Sequence, residues 1–390
     1  LSRLKIDVDY LLGQLKALLS IDSPTGYTDT IVRHVTEELE SLGLEPELTR
    51  RGAIRAVVRG GRREGARAII THLDTLGAQV KMVKDNGRLE LVAIGHWSAR
   101  FAEGARATIY TEKGSYRGTV LPLKASGHTY NDEVDTAPVG WQHVELRIDA
   151  MCWTRADTLS LGIDVGDFVA IDPQPEFLDN GFIVSRHLDD KAGVAIALAS
   201  LKSIMDSDVT LPVDTHWLFT IAEEVGVGAA SIITPEIASM VTIDNGTTAP
   251  GQNSSEFGAT IGMADMAGPF DYHLTKKLVE ICREEDIRYQ KDIFRYYRSD
   301  SASAIEAGHD VRTALIAFGI DASHGYERIH THALRSVAEL TTAYVVSPLE
   351  IERDVSEVSD LEGFTEQPTD PAEQPKKRRK LPEPLSALKD

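Results

Sequence analysis

Two pairs of adjacent acids stand where apolar runs end: Asp189 and Asp190 in "HLDDKAG", and Glu223 and Glu224 in "IAEEVG". Neighbouring carboxylates destabilise each other's charge unless a cation shares it. Three more polar residues hold the same kind of position: His72 after "RAII", Asp244 after "MVTI" and His324 after "TALIAFGI". Each run reads as a short strand, so five strands would deliver hard ligands to one edge of a sheet. In open α/β sheets that edge is where ligands bind. Two histidines and several carboxylates without cysteine suit zinc, cobalt or manganese. An aspartate shared by two ions, each completed by one histidine and one carboxylate, would hold a divalent pair about 3.5 to 4 Å apart around an activated water. Either acid of the Asp pair can be the shared ligand. One glutamate would bind metal while the other carries a proton from the water to the departing amine. Taken singly, each residue has a plainer reading; Asp190 ahead of "KAGVAIALA", for example, fits a helix N-cap.

The surrounding pattern supplies elements to position these groups. Up to residue 75, helix and strand alternate: "DTIVRHVTEELESLG" has apolar residues at helical spacing and a stop at Gly43, and "ARAIITHLDT" is a buried strand breaking into a turn. From 76 to 183 the texture changes to short β segments separated by Gly, Asn and Asp, which predicts a small inserted β-rich, barrel-like domain. Within it, "KASGHTYNDEVDTAPVGWQH" is polar and turn-rich, and its His128 could reach a neighbouring subunit. From 184 to 350 the alternation resumes, predicting a mostly parallel sheet flanked by helices, built jointly with residues 1–75. Residues 351–390, containing "KKRRK", lose apolar periodicity and read as a disordered charged tail.

Composition narrows the partners. The 390 residues carry 41 basic and 60 acidic side chains, a net charge of −19, which argues against nucleic acid and anionic membranes. Two distant cysteines, Cys152 and Cys282, offer neither a disulfide framework nor a thiolate metal site. A cytoplasmic setting is the expectation, and no apolar run is long enough to span a bilayer.

The motifs "THLDT", "HLDDKAG", "IAEEVG", "TIDNG" and "ASHGYE", in this order and spacing, resemble the tetrahedral, TET-type glutamyl aminopeptidases, a family of di-metal exopeptidases. The chain looks most similar to the branch associated with the osmolyte N-acetylglutaminylglutamine amide. The resemblance implies the zinc-dependent exopeptidase fold and two divalent ions per subunit, zinc first, with cobalt or manganese as alternatives. It implies that His72, Asp189, Glu224, Asp244 and His324 bind metal, with Asp189 bridging across a cis peptide to Asp190. Glu223 would be the general base, and Asp74 would steady the second ring nitrogen of His72. The substrate would be a small peptide, its N-terminal residue removed by a metal-bridging hydroxide. The alternative is a deacylase, amidohydrolase or carboxypeptidase acting on a capped dipeptide. A homo-oligomer, dimer-based and up to twelve subunits, is implied likewise. The chain departs from the family pattern at Thr75, at His187, which becomes a pocket residue or substitute ligand, and at "YRSDSASA", where Asp300 takes the position of a substrate-pocket acid. His34, His96, His143, His273, His309, His330 and His332 read as structural or surface residues.

Overall fold

The computed structural model describes residues 4–355, 360–361 and 363–369. Its largest sheet has nine strands among the described residues, and four carry the site. Thr215–Thr220, Ala66–His72, Ile237–Thr247 and Arg312–Ile320 lie side by side and parallel. They are buried along almost their whole length, as strands covered by helices on both faces must be. Antiparallel strands flank them: Ile54–Val58 beside Thr215–Thr220, and Ala259–Asp265 beside Arg312–Ile320.

One covering helix, Leu188–Met205, is buried nearly all round. Its run of Ala, Val, Ile and Leu has no polar face, which marks a helix enclosed by protein. Val8–Leu19 and Thr331–Val346 pack against it, and the three share one core with the sheet. Helix Asp29–Ser41 ends just before Gly43 at φ +85°, the stop read from sequence.

The inserted segment forms a closed six-stranded barrel from Gly77–Val83, Leu89–Ile94, Val144–Ile148, Gly114–Pro122, Arg106–Thr111 and Phe168–Ile171. Its core, around Val80, Leu91, Ile109, Leu146 and Val169, is separate from that of the large sheet. The polar stretch 124–143 folds into two single-turn helices, Gly127–Tyr130 and Glu133–Thr136, and a 3-10 turn, Trp141–His143.

Two expectations change. The strand Phe182–Ser185 before Asp189 lies outside the large sheet; it pairs antiparallel with Glu327–His330 and Glu176–Phe177. Asp189 therefore arrives on the first turn of the central helix, not from a fifth strand end. Past Glu350 the chain first makes a 3-10 turn, Glu352–Val355, held where Arg312 bonds Asp354 at 2.7 Å. The "KKRRK" run lies outside the described residues. Among those described, no helix is long and apolar enough to cross a membrane.

Candidate active site

Four of the predicted residues leave the parallel strands at one edge, and two more join them from the helix start and a loop. His72 is the last residue of its strand, Asp244 lies within Ile237–Thr247, Glu223 and Glu224 follow Thr215–Thr220, and His324 follows Arg312–Ile320. Asp189 enters from the helix Leu188–Met205, across a cis peptide to Asp190.

The carboxylate of Asp189 stands between the two imidazoles: one oxygen is 3.3 Å from His72 Nε2 and the other 3.2 Å from His324 Nε2. Glu224 approaches His324 Nε2 at 3.6 Å, and Glu223 approaches His72 Nε2 at 3.8 Å. Two compact groups result, His72 with Asp190 and Asp244, and Asp189 with Glu224 and His324, each with ligand atoms mutually within 4.8 Å. Both rings are aimed by carbonyl oxygens behind them. His72 Nδ1 donates to the backbone carbonyl of Asp74 at 2.9 Å, and His324 Nδ1 to that of His96 at 2.8 Å.

Asp74 steadies the second ring nitrogen of His72 through its main-chain carbonyl. Its carboxylate is 3.6 Å from the ring and instead accepts from the backbone N–H groups of Glu223 (3.1 Å) and Glu224 (3.3 Å) and from the Thr25 hydroxyl (2.6 Å). It holds the turn carrying the glutamates, while its main chain holds the imidazole. Asp190 stands just before the regular turns of the helix, its own φ/ψ non-helical, and its carboxylate accepts from the Thr71 hydroxyl and, at 3.3 Å, from the His72 N–H, tying the helix start to the neighbouring strand.

Sequence reasoning passed over three residues. Glu327 is buried, and its carboxylate accepts from the N–H groups of Leu188 (2.8 Å), Asp189 (3.2 Å) and His324 (2.9 Å). It ends the quoted motif "ASHGYE", the only signal that could have found it. Asn245 donates to Asp189 at 2.7 Å and to Asp244 at 3.1 Å. His96, read as a bystander, brings the barrel into the site through its carbonyl oxygen.

Asp300 and His187 are placed less directly. Asp300 is buried, with its oxygens taken by the Thr220 hydroxyl (2.6 Å) and the Ala229 N–H (2.8 Å), though it borders the cavity over the site. His187 bonds the Ile171 carbonyl of the barrel at 2.8 Å and borders a small crevice shared with Asp189 and His324, not the cavity over the site. His128 is exposed and outside both.

Electrostatics make the cluster costly on its own. Burial, reinforced by neighbouring acids, pushes the Glu224 carboxyl up to about 8 and that of Asp244 to about 7, and drives Glu223 and Asp190 well above the usual range. Burial opposes ionisation of Asp189 too, yet the two imidazoles hold it below the ordinary carboxylate range. Burial likewise opposes protonation of His324, but Glu224 and Asp189 lift it to about 11. Two buried atoms facing the cluster, His72 Nε2 and Glu224 Oε1, have no hydrogen-bond partner among the described residues. Such orphaned polar atoms are what divalent cations would satisfy, and the donor set of nitrogen and carboxylate oxygen fits them.

Comparison with known proteins bears on the family and the fold. YhfE of Bacillus subtilis (strain 168), which carries a provisional aminopeptidase name, is 40% identical over 336 residues, 86% of this chain and 97% of its own. Among solved structures, the aminopeptidase APDkam598 from the archaeon Desulfurococcus kamchatkensis superposes with a TM-score of 0.77 at 23% identity, covering 87% of this chain and 95% of that one. The TET1 peptidase of Pyrococcus horikoshii, which can assemble into a tetrahedron or a large octahedral shell, gives 0.76 at 20% identity over 86% and 99%. The profile of the M42 glutamyl aminopeptidases matches residues 52–340. With the fold, the motif order and this match in agreement, the chain belongs to the M42 glutamyl aminopeptidase family and is a peptidase hydrolase.

Proposed function

We propose that this aminopeptidase uses two divalent cations sharing Asp189, zinc being the first choice, to remove N-terminal residues from small peptides. Peptidases of the family are metal-dependent. The observation that carries the reading is the placement of one buried carboxylate with an imidazole 3.2 to 3.3 Å from each oxygen. On this reading His72 and Asp244 complete one site, and Glu224 and His324 the other. Asp190 lies close enough to the first group to add to its charge.

Bound cations would supply Lewis acidity toward the scissile carbonyl and lower the pKa of water at the site. The protein's own groups do the rest. Asp74, through its main chain and side chain together, holds His72 and the glutamate turn in one frame. Glu223 borders the cavity with its carboxylate 3.8 Å from His72 Nε2, where it would accept a proton from water and deliver it to the leaving nitrogen. Asp300 shapes the cavity wall, and His187 fastens the helix start to the barrel.

The working unit on this reading is residues 1–75 with 184–350, with 76–183 as the barrel and 351–390 as an appendage. The assemblies formed by the TET1 peptidase support a homo-oligomer, and on this reading a dimer would be its building unit. The setting would be cytoplasmic.

The test is Glu223→Gln. It should keep its metal, measured by elemental analysis, and lose about 10² to 10⁴ in kcat toward free-amine dipeptides. Wild-type turnover in that variant would remove the proton-transfer role. Running N-acetylated and C-amidated dipeptides in parallel decides the substrate: turnover confined to blocked dipeptides such as N-acetylglutaminylglutamine amide would replace the aminopeptidase reading with a deacylase or amidohydrolase.

A further inference from the structure

The cavity over the site, about 1080 Å³, has an uneven charge distribution. Its floor holds Asp189, Glu223, Glu224 and Asp244, while the Lys and Arg side chains lining it among the described residues are Arg295 and Arg298. Both come from one segment, "FRYYRSD", residues 294–300. In a chain of net charge −19, two guanidinium groups at an acidic cavity call for a reason.

They are not equivalent. Arg298 is paired with Glu306 at 2.5 Å. Arg295 is exposed and has no carboxylate partner among the described residues. Asp292, three residues before it, is engaged by the N–H groups of Asn253 and Ser254 and by the Ser254 hydroxyl, at 2.8 to 2.9 Å.

The segment itself is fixed. Phe294 N–H donates to the Ala264 carbonyl at 3.0 Å, the Tyr297 carbonyl accepts from Met266 N–H at 3.0 Å, and Ser299 caps the helix Asp300–Glu306. Arg295 is therefore presented on a held backbone, which lowers the ordering cost of binding an anion.

We propose that Arg295, with Arg298 beside it, receives the C-terminal carboxylate of short peptide substrates. The cavity then matches a zwitterion at both ends, the amine toward the acidic floor and the carboxylate toward the arginine segment. This rests on the aminopeptidase reading above and adds a preference for short peptides with a free C-terminus.

The experiment compares trialanine with trialanine amide on metal-loaded wild type, Arg295→Gln and Arg295→Lys, with Glu-Ala amide against Ala-Ala amide as a further pair. Wild type should show a KM about tenfold lower for the acid than for the amide, with similar kcat, as loss of a charge-assisted bond implies. That ratio should collapse toward one in Arg295→Gln and recover in part in Arg295→Lys. An acid-to-amide ratio near one in wild type, or one that survives in Arg295→Gln, overturns the proposal while leaving the aminopeptidase reading intact. A preference that follows an acidic first residue instead of the free terminus overturns it equally. No turnover of any free-amine peptide would sink the aminopeptidase reading, and this proposal with it.

Discussion

At the scale of single residues, the supporting groups matter as much as the six that face one another. Glu327 gathers three backbone N–H groups from two distant segments, the helix start at Leu188–Asp189 and the loop at His324. On the di-metal reading these segments carry a bridging ligand and a terminal one, so Glu327 sets the distance between them. Glu327→Gln keeps the shape but replaces one acceptor oxygen with a donor, placing an NH₂ against a backbone N–H. Metal affinity, measured by chelator competition, should fall about 10- to 100-fold, the usual effect of losing an orienting partner. Unchanged affinity would mean that the amides hold their places without it. The six facing residues were legible in the sequence because each follows an apolar run and carries chemistry in its own side chain. Glu327 and Asn245 were not, because they act on other residues' amides and carboxylates. His96 was hidden more deeply, since it contributes a main-chain carbonyl that any residue could provide.

Among elements, the start of the central helix is the sharpest constraint. Asp190 folds back over Gly193, where an added Cβ would lie 2.1 Å from its Oδ1. Gly→Ala inside a helix ordinarily gains about 1 kcal/mol. Here the sign should reverse, because the carboxylate that must move is buried and bonds Thr71 and the His72 N–H. Gly193→Ala should cost about 1 to 3 kcal/mol in denaturant unfolding, the usual cost of overpacking; a stabilised variant would show that Asp190 is free to leave. The four site strands were readable as apolar runs because both their faces are buried. Ala259–Asp265, "ATIGMAD", was missed for a physical reason: Gly262 leaves its space to Leu315 and Phe270, so the bulk that marks a strand is supplied by its neighbours. The misplaced strand Phe182–Ser185 has a different cause. Its partner, Glu327–His330, lies more than 140 residues away, and no local periodicity reports on pairing at that range.

For the molecule as a whole, two separate cores meet at the site. The barrel reaches the large sheet through the His96 carbonyl at His324, through the Tyr110 hydroxyl donating to Asp22 at 2.6 Å, and through Tyr27 stacked on Tyr110 at 4.5 Å. The acids at that junction should make the metal-free protein's stability fall with rising pH. Glu224 is raised from its ordinary 4.5 to about 8, and Asp244 from 3.8 to about 7, by burial first and neighbouring charge second. A raised folded-state pKa means that between the two values the folded chain binds more protons than the unfolded one. Its contribution is complete below the ordinary pKa and is lost as pH rises through the folded one. His324, lifted to about 11 by Glu224 and Asp189 against the opposing effect of burial, adds in the same direction above 6.5. Asp189, which is lowered, acts in the opposite sense, but below its ordinary 3.8, outside this window. Metal-free protein should therefore melt roughly 5 °C lower at pH 8.5 than at pH 5.5. Zinc should raise the melting temperature more at pH 8.5, because cations bind the deprotonated ligands and no longer compete with protons there. A metal-free melting temperature that holds level or climbs over this interval would show that the carboxylates are not crowded as the structure places them, and the case for a shared pair of cations would lose its physical basis.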